Sequence, residues 1–239
     1  MIALLIGLAT ASGLHVVRAD ETVESIADDL GDPALAPVLR GDNGLPAGAQ
    51  PAPGTVLTVP DRSGHRDQEA VVLKLSGVAE ATIPGRGRMP AAPTLPLPVG
   101  SVVCTEALGY LTLRLASDGQ QAHDDITLLP GTCVRVLAVQ TDDRGRTSSV
   151  QVETGGIEVR SVQSAGGDVV VVTDAGVTTG EQGGFRVAVE QTGAARTEAL
   201  YGPVAVIGSG VEKAVDAGQG SRTMPGEAPS DPVDLLAPG

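Results

Sequence analysis

The sequence predicts a chain of two fold classes, a small α+β module near the N-terminus and a longer all-β domain after it. Helical periodicity is confined to the first part, where apolar residues in "ETVESIADDLGD" recur at helix spacing. The remainder is built of short valine-rich runs that end at glycine or proline. The chain has two tyrosines, one phenylalanine and no tryptophan. A core without large rings must be thin and aliphatic, which favours stacked, solenoid-like strands, with a β-sandwich as the alternative.

The N-terminal part is predicted to run strand, helix, helix, strand. "LHVVR" is β-branched and reads as the first strand. The first helix follows, with Thr22 as its cap and Gly31 at its end. Its inward face is formed by residues at helical spacing: Val23, Ile26, Ala27 and Leu30.

A second short helix is expected to begin at Pro33 or Pro37 and to run towards Asp42, because proline fits only the first turn of a helix. Its inward residues are expected to be Leu35, Val38 and Leu39. "GTVLTVP", residues 54–60, is predicted to form the closing strand.

The β domain is expected over residues 71–223, after a polar linker at 61–70. "DDRGR", residues 142–146, has the composition of a hairpin tip. Residues 224–239 are expected to be a proline-rich tail. The predicted strands are "AVVLKLSG", "LTLRLASDG", "CVRVLAV", "SVQVETGG", "IEVRSV", "VVVVTDAG", "FRVAVEQ" and "PVAVIGSG".

The first 13 residues have the pattern of a short export signal. "MIALLIGLATASG" is apolar, far shorter than the ~20 residues of a membrane-spanning helix, and carries an A-x-A arrangement at Ala9 and Ala11. It lacks a basic residue before the apolar run, so a buried strand or helix of the mature fold is the open alternative. We expect export to the periplasm or cell envelope, with the mature chain beginning near residues 12–14.

Cys104 and Cys133 each lie on a predicted strand, and an oxidising compartment would permit a disulfide between them. The alternative is two buried free thiols that pack as small hydrophobes. Geometry decides between the two, and the sequence leaves both open.

Charge and motif content weigh against nucleic-acid binding and catalysis. The net charge is −13, and the only basic cluster is the pair Arg86 and Arg88. "HDD", residues 123–125, is expected to be a solvated turn and not a metal or general-base site. No nucleophile elbow, metalloprotease helix or phosphate loop occurs. We therefore expect no enzyme activity, no cofactor, no metal site and no membrane-spanning helix.

Residues 14–60 resemble the LysM module, a βααβ unit that binds N-acetylglucosamine-containing glycans such as peptidoglycan. "VVRADETVESIADDLGD", "NGL" and "PGTVLTVP" match its successive signatures, with Asp20 in place of the family's turn glycine. The resemblance implies a sugar groove between the first strand–helix loop and the second helix–strand loop. By position, the implied glycan-binding residues are Asp20, Glu21, Thr22, Gly44, Leu45 and Pro46.

Residues from about 70 to 223 resemble the FecR domain, an all-β periplasmic module of iron-signalling regulators and other envelope proteins. "LPVGSVVCTEALGYLTLRLASDGQ", "VVTDAGVTTGEQGGFRVAV" and "YGPVAVIG" carry the resemblance. Together the two resemblances imply a non-catalytic envelope protein that binds peptidoglycan or a chitin-like glycan, with the β domain as scaffold or docking surface. The alternative is an envelope sensor or signalling partner, in which the β strands bind another protein and the LysM-like unit is structural.

Overall fold

The computed structural model describes residues 12–17, 21–30, 32–52, 55–60, 69–117, 123–142, 145–162 and 167–235. The first elements are strand β1 (Ser12–Val16), helix α1 (Val23–Asp29), a 3-10 turn (Pro33–Leu35), helix α2 (Ala36–Asp42) and strand β2 (Val56–Pro60). β1 and β2 pair antiparallel, from Ser12 opposite Pro60 to Val16 opposite Val56. We call residues 12–60 the N-terminal unit. Residues 1–11, and with them most of the predicted export signal, lie outside the described residues.

A capping box begins α1. The backbone N–H of Ser25 donates to Thr22 Oγ1 (3.0 Å), and the N–H of Thr22 donates to Ser25 Oγ (2.9 Å). Two otherwise unpaired N–H groups are thereby satisfied, which confirms Thr22 as the cap. The predicted helix end at Gly31 is outside the described residues.

One inward residue of the second helix was predicted wrongly. Leu39 is fully buried, but Val38 is 45% exposed. Ala36 and Leu39, three residues apart, share the buried face of α2. Because successive helical residues point about 100° apart, the neighbour of Leu39 faces solvent.

The N-terminal unit has an apolar core of its own, distinct from the larger core of the strands that follow. Leu30, Leu35 and Leu45 are partly buried against it. Its buried members come from both helices, from β2 and from the residue after β1: Val17, Val23, Ile26, Ala27, Ala36, Leu39, Leu57 and Val59.

Seventeen further strands follow in the described residues, joined by hydrogen bonds into one curled sheet. Their bounds are β3 (Ala70–Ser76), β4 (Ala79–Ile83), β5 (Gly87–Pro90), β6 (Pro96–Leu97), β7 (Val102–Thr105), β8 (Tyr110–Ser117), β9 (His123–Leu128), β10 (Cys133–Asp142), β11 (Gly145–Val162), β12 (Gly167–Thr173), β13 (Gly176–Gly180), β14 (Gly183–Val189), β15 (Ala195–Tyr201), β16 (Val204–Gly208), β17 (Val211–Val215), β18 (Gln219–Thr223) and β19 (Val233–Asp234).

The sheet forms two layers. In the first layer the strand order is β6-β3-β8-β9-β11-β14-β15-β18-β19. In the second layer it is β5-β4-β7-β10-β11-β12-β13-β16-β17. The pairings are antiparallel except for β11 with β12. This architecture confirms the predicted all-β domain.

β11 belongs to both layers. Residues 145–154 pair with β10 in the second layer, and residues 155–161 pair with β14 in the first. The strand crosses at Gly155, whose φ is +81° and where a Cβ would overlap Thr132 Oγ1. Only glycine fits this crossing. The sequence pattern placed a turn between "SVQVETGG" and "IEVRSV", whereas the strand bends there without ending.

The main core lies between the layers and is aliphatic, as the composition predicts. Phe185 is its one aromatic member among the described residues, and valine, leucine, isoleucine and alanine supply the rest. The layers also meet through polar groups, since the hydroxyls of Thr178 on β13 and Thr197 on β15 lie 2.8 Å apart and are buried.

The described part of the predicted tail packs on the end of the first layer. The N–H of Ser230 donates to Arg222 O (2.8 Å), and the N–H of Leu235 donates to Gly218 O (2.7 Å). β19 pairs with β18, so the segment covers a sheet edge that would otherwise present unpaired backbone groups.

Candidate functional site

Of the first predicted loop, the structure describes Glu21 and Thr22. Thr22 Oγ1 is engaged in the helix cap, and Glu21 Oε2 lies 2.7 Å from His15 Nε2. Both Glu21 and Thr22 are half-buried, and Asp20 lies outside the described residues. The loop therefore offers a carboxylate held against a histidine of the first strand.

The second predicted loop is the end of α2. Gly44 has φ +64°, and its N–H donates to Gly41 O (3.2 Å), while the N–H of Leu45 donates to Arg40 O (2.9 Å). These two bonds form a Schellman motif, in which Leu45 also packs on the small core. Gly44 and Pro46 are exposed, so backbone groups dominate this loop.

The side chain of Gln50 links the segment after α2 to the start of α1, a contact that the sequence did not predict. The N–H of Val23 donates to Gln50 Oε1 (2.9 Å), and Gln50 Nε2 donates to Glu24 Oε2 (2.9 Å). The segment that contacts the first turn of α1 thus lies a few residues after Gly44–Pro46. No local pattern marks Gln50, because its role depends on a contact across 27 residues of chain.

Glu24 has a lowered pKa, about 2 against an ordinary value of 4.5. The largest cause is the hydrogen bond from the side chain of Gln50, followed by the one from Arg40. Both donors favour the charged carboxylate in the folded state.

This shift predicts an acid-dependent contribution to stability. A depressed folded pKa stabilises the fold above the unfolded value of 4.5, and the contribution is lost as the pH falls towards about 2. We expect Glu24→Gln to flatten the decline in melting temperature over that pH range. Glu69→Gln, at another exposed glutamate, is the control. Parallel declines for wild type and Glu24→Gln would contradict the assignment.

A cleft of about 930 Å³ lies where the N-terminal unit meets the second layer. Val56 of β2 packs against Val170, Val177 and Ile207, which form a cluster separate from the main core. Val169 and Val171, the neighbours of Val170, belong to the main core. Because side chains alternate along a strand, the N-terminal unit covers the outer face of the second layer. The polar residues that line the cleft include His15, Asp168, Glu181, Gln182, Tyr201 and Glu212.

Two turns that pack on each other form one wall of this cleft. A Cβ on Gly183 would overlap the carbonyl oxygen of Tyr201, and one on Gly202 would lie 2.6 Å from Gln182 O. Both glycines have positive φ, +114° and +81°. The close approach fixes the backbone at Tyr201, a residue that is 68% exposed.

The "HDD" stretch is a strand and not the solvated turn that was expected. His123, Asp124 and Asp125 lie on β9, and Asp124 is 1% exposed. Asp124 accepts hydrogen bonds from Ser161 Oγ (2.7 Å) and Ser148 Oγ (2.8 Å).

Asp125 faces away from this buried group. Arg114 donates to both of its oxygens at 2.8 Å, and His123 Nε2 lies 3.6 Å from Asp125 Oδ2. Alternation along β9 therefore separates the two carboxylates. Among the described residues, no group of three or more His, Cys, Asp or Glu is arranged to hold a metal ion.

Cys104 on β7 and Cys133 on β10 are joined by a disulfide. The two residues are directly opposite in the antiparallel pair, and their Cα atoms are 4.1 Å apart. The bridge links strands that are 29 residues apart in sequence. Of the two alternatives that the sequence left open, the structure has the bonded one.

Comparisons with known proteins give little further information. No family model matches the sequence, and no curated protein matches it. A solved structure of a proposed anti-sigma factor from Parabacteroides distasonis is similar over 56% of this chain, with a TM-score of 0.45 and 15% sequence identity. The match covers 59% of that structure's chain. A likeness at this level carries no information about function.

No helix in the described ranges combines the length and the apolar character needed to cross a bilayer.

Proposed function

We propose that this protein is a non-catalytic bacterial envelope protein that binds N-acetylglucosamine-containing glycan, such as peptidoglycan, through a LysM-like module at residues 14–60. The observation that carries the proposal is the strand–helix–helix–strand order closed around its own apolar core. The FecR-like β domain acts as scaffold or docking surface. We keep the stacked, solenoid-like arrangement as part of the proposal, with the β-sandwich as its alternative; the nearly sequential order of the strands along both layers supports it.

The proposed groove relies on backbone groups and few side chains. The exposed turn at Gly44–Pro46 and the half-buried Glu21 supply hydrogen-bonding groups, and no aromatic ring belongs to the implied site. We expect a millimolar to high-micromolar dissociation constant for a chitin-like oligomer, about −4 to −6 kcal/mol. Firm attachment then requires long glycans or several copies acting together.

The disulfide supports a location outside the cytoplasm, in the periplasm or cell envelope. Disulfides persist in oxidising compartments and are rare where thiols are kept reduced. The bridge between Cys104 and Cys133 is consistent with export of the chain.

Sedimentation with purified peptidoglycan tests the proposal. We expect wild-type protein to sediment, Glu21→Gln to sediment less, and Glu106→Gln, an exposed charge-matched control on the β domain, to behave as wild type. Deleting residues 14–60 should abolish sedimentation while circular dichroism retains the strand signal. If the folded deletion variant still sediments, the N-terminal unit is not the anchor.

A second candidate function is an envelope sensor or signalling partner whose β domain binds another protein. A group of exposed apolar side chains at two adjoining turns favours it: Leu108 is 87% exposed, Val78 54% and Tyr110 48%. The N–H of Glu106 donates to Val78 O (3.0 Å), which holds the turns together. Contiguous exposed apolar surface is typical of interaction sites. In this case Leu108→Asp should abolish partner capture and leave peptidoglycan sedimentation unchanged.

A further inference from the structure

The curled sheet has four edge strands in the described part of the chain, and three of them are poor templates for pairing with another chain. β6 and β19 are two residues long, β6 contains Pro96, and Pro232 directly precedes β19. β5 contains Pro90. Because the N–H of Ala91 donates to Ala79 O of β4 (2.9 Å), the neighbouring Pro90 lies where the open edge would otherwise present a donor. Short strands and edge prolines protect sheets against unwanted pairing.

β17, the remaining edge strand, lacks this protection. It runs Val211–Val215 without proline or glycine, and within the described ranges its ladder partner is β16 alone. A hairpin joins the two strands through Ser209 and Gly210, whose φ values are +48° and +77°. Positive φ at both positions is typical of a two-residue type I′ turn, whose flanking residues are hydrogen-bonded to each other.

The register of this hairpin shows which backbone groups of β17 point away from β16. Val211 is opposite Gly208 at the turn, and hydrogen-bonded pairs alternate with non-hydrogen-bonded pairs along an antiparallel ladder. The backbone of Lys213 therefore bonds to β16. The N–H and C=O groups of Glu212 and Ala214 point to the open edge, where they can pair with an incoming strand.

The outer face of this edge is acidic. Glu212 is opposite Ile207, which packs with Val56 of the N-terminal unit, so its side chain lies on the outer face of the second layer. There it lines the cleft together with Asp168 and Glu181. Neither lysine nor arginine is among the described residues that line this cleft. The outer face therefore attracts positive charge.

The inner face of β17 is aliphatic at both ends of the strand. Val215 is buried in the main core, and Val211 is 41% exposed. Between them, Lys213 Nζ donates to Asp231 Oδ1 of the tail (2.6 Å), so its charge is already paired. An incoming strand thus meets carboxylates on one of its faces and valine side chains on the other.

We propose that β17 is a docking edge for an extended segment of a partner protein, in which basic residues alternate with aliphatic ones. The segment adds to the second layer as a further strand. Charge complementarity selects this occupant, because its basic side chains face Glu212 and the other carboxylates of the cleft while its aliphatic side chains lie beside Val211 and Val215. A second copy of this chain is disfavoured, since each copy carries a net charge of −13. The inference rests on the proposed docking role of the β domain and not on glycan binding.

Amide hydrogen exchange, followed by NMR on the full-length chain, tests the docking edge. In the free protein the N–H groups of Glu212 and Ala214 should exchange fast, and that of Lys213 slowly. The capped hexapeptide Lys-Val-Lys-Val-Lys-Val should slow exchange at Glu212 and Ala214 about tenfold when it is present at about ten times its dissociation constant. The isomer Lys-Lys-Lys-Val-Val-Val, which has the same charge without the alternation, should protect them far less.

Two variants separate backbone pairing from charge, with calorimetry of the alternating peptide as the measurement. Ala214→Pro removes a donor that points to the open edge and keeps the bonds to β16, so binding should weaken about tenfold. Glu212→Lys reverses an exposed charge without touching the backbone, and binding should weaken about fivefold. Glu106→Lys, the same change at an exposed position after β7, is the matched control and should leave binding unchanged.

The outcomes separate the docking edge from its alternatives and from glycan binding. Slow exchange at Glu212 and Ala214 in the free protein would show that the edge is already paired, and equal binding of the two isomers would show attraction by net charge alone. Either result, or binding of neither peptide, overturns the proposal. A dimer in sedimentation velocity that Ala214→Pro abolishes would make a second copy the occupant and overturn the basic segment. Because Glu212→Lys should sediment with peptidoglycan as wild type does, failure of one proposal is distinguishable from failure of the other.

Discussion

Replacing both Cys104 and Cys133 by alanine is expected to lower the free energy of unfolding by about 3–4 kcal/mol. The bridge closes a loop between residues 29 apart, and in the chain-entropy model it restricts the unfolded chain by that amount. It joins β7 to β10 in the second layer, at a position where the two strands are already paired. The folded state should therefore change little, and the effect should come mostly from the unfolded ensemble. Denaturant unfolding of both proteins measures the difference.

The matched control is a reducing agent. Wild-type protein should lose the same stability when reduced, whereas the double variant should not respond. Peptide mapping without reduction should recover the Cys104 peptide joined to the Cys133 peptide. Wild-type unfolding that is insensitive to reduction would show that the bridge does not form or does not stabilise the protein.

Asp124→Ala is expected to cost about 2–4 kcal/mol of stability, since it removes a buried carboxylate that accepts hydrogen bonds from two serine hydroxyls. Ser148 and Ser161 are two of its donors in the described part of the chain, both on β11, one in each layer of the sheet. Asp124 thus connects β9 to both halves of the strand that crosses between layers. Asp124→Asn keeps an acceptor oxygen and the side-chain volume, so we expect it to cost less, about 1 kcal/mol.

The neighbouring carboxylate provides the control for this variant. Asp125 pairs with Arg114 at a half-exposed position on the other face of β9, where an ion pair contributes at most about 1 kcal/mol. Chemical denaturation should therefore rank Asp124→Ala well below Asp125→Ala in stability. Equal losses would show that the buried contacts of Asp124 do not stabilise the fold.

Strand β9 shows which features of a buried polar group the local sequence pattern predicts. Asp124 alternates with Ile126 and Leu128, both fully buried, so period-two spacing does place it on the inward face. The prediction of a solvated turn at residues 123–125 relied on their polar side chains and disregarded the alternation of buried and exposed residues. Period-two spacing could not predict the serine partners of Asp124, because they lie 24 and 37 residues further along the chain.

The sequence by itself determined the local elements of this protein. The Thr22 cap, the buried face of α1 and the aliphatic core all follow from residue type and spacing within a few positions. Only the tertiary structure decided which strands pair, that β11 crosses layers at Gly155, that Cys104 faces Cys133, and that Tyr201 and His15 line one cleft. Spacing along the chain encodes the period and the inward face of one element. Contacts between distant elements depend on how whole surfaces pack, which no short stretch of sequence specifies.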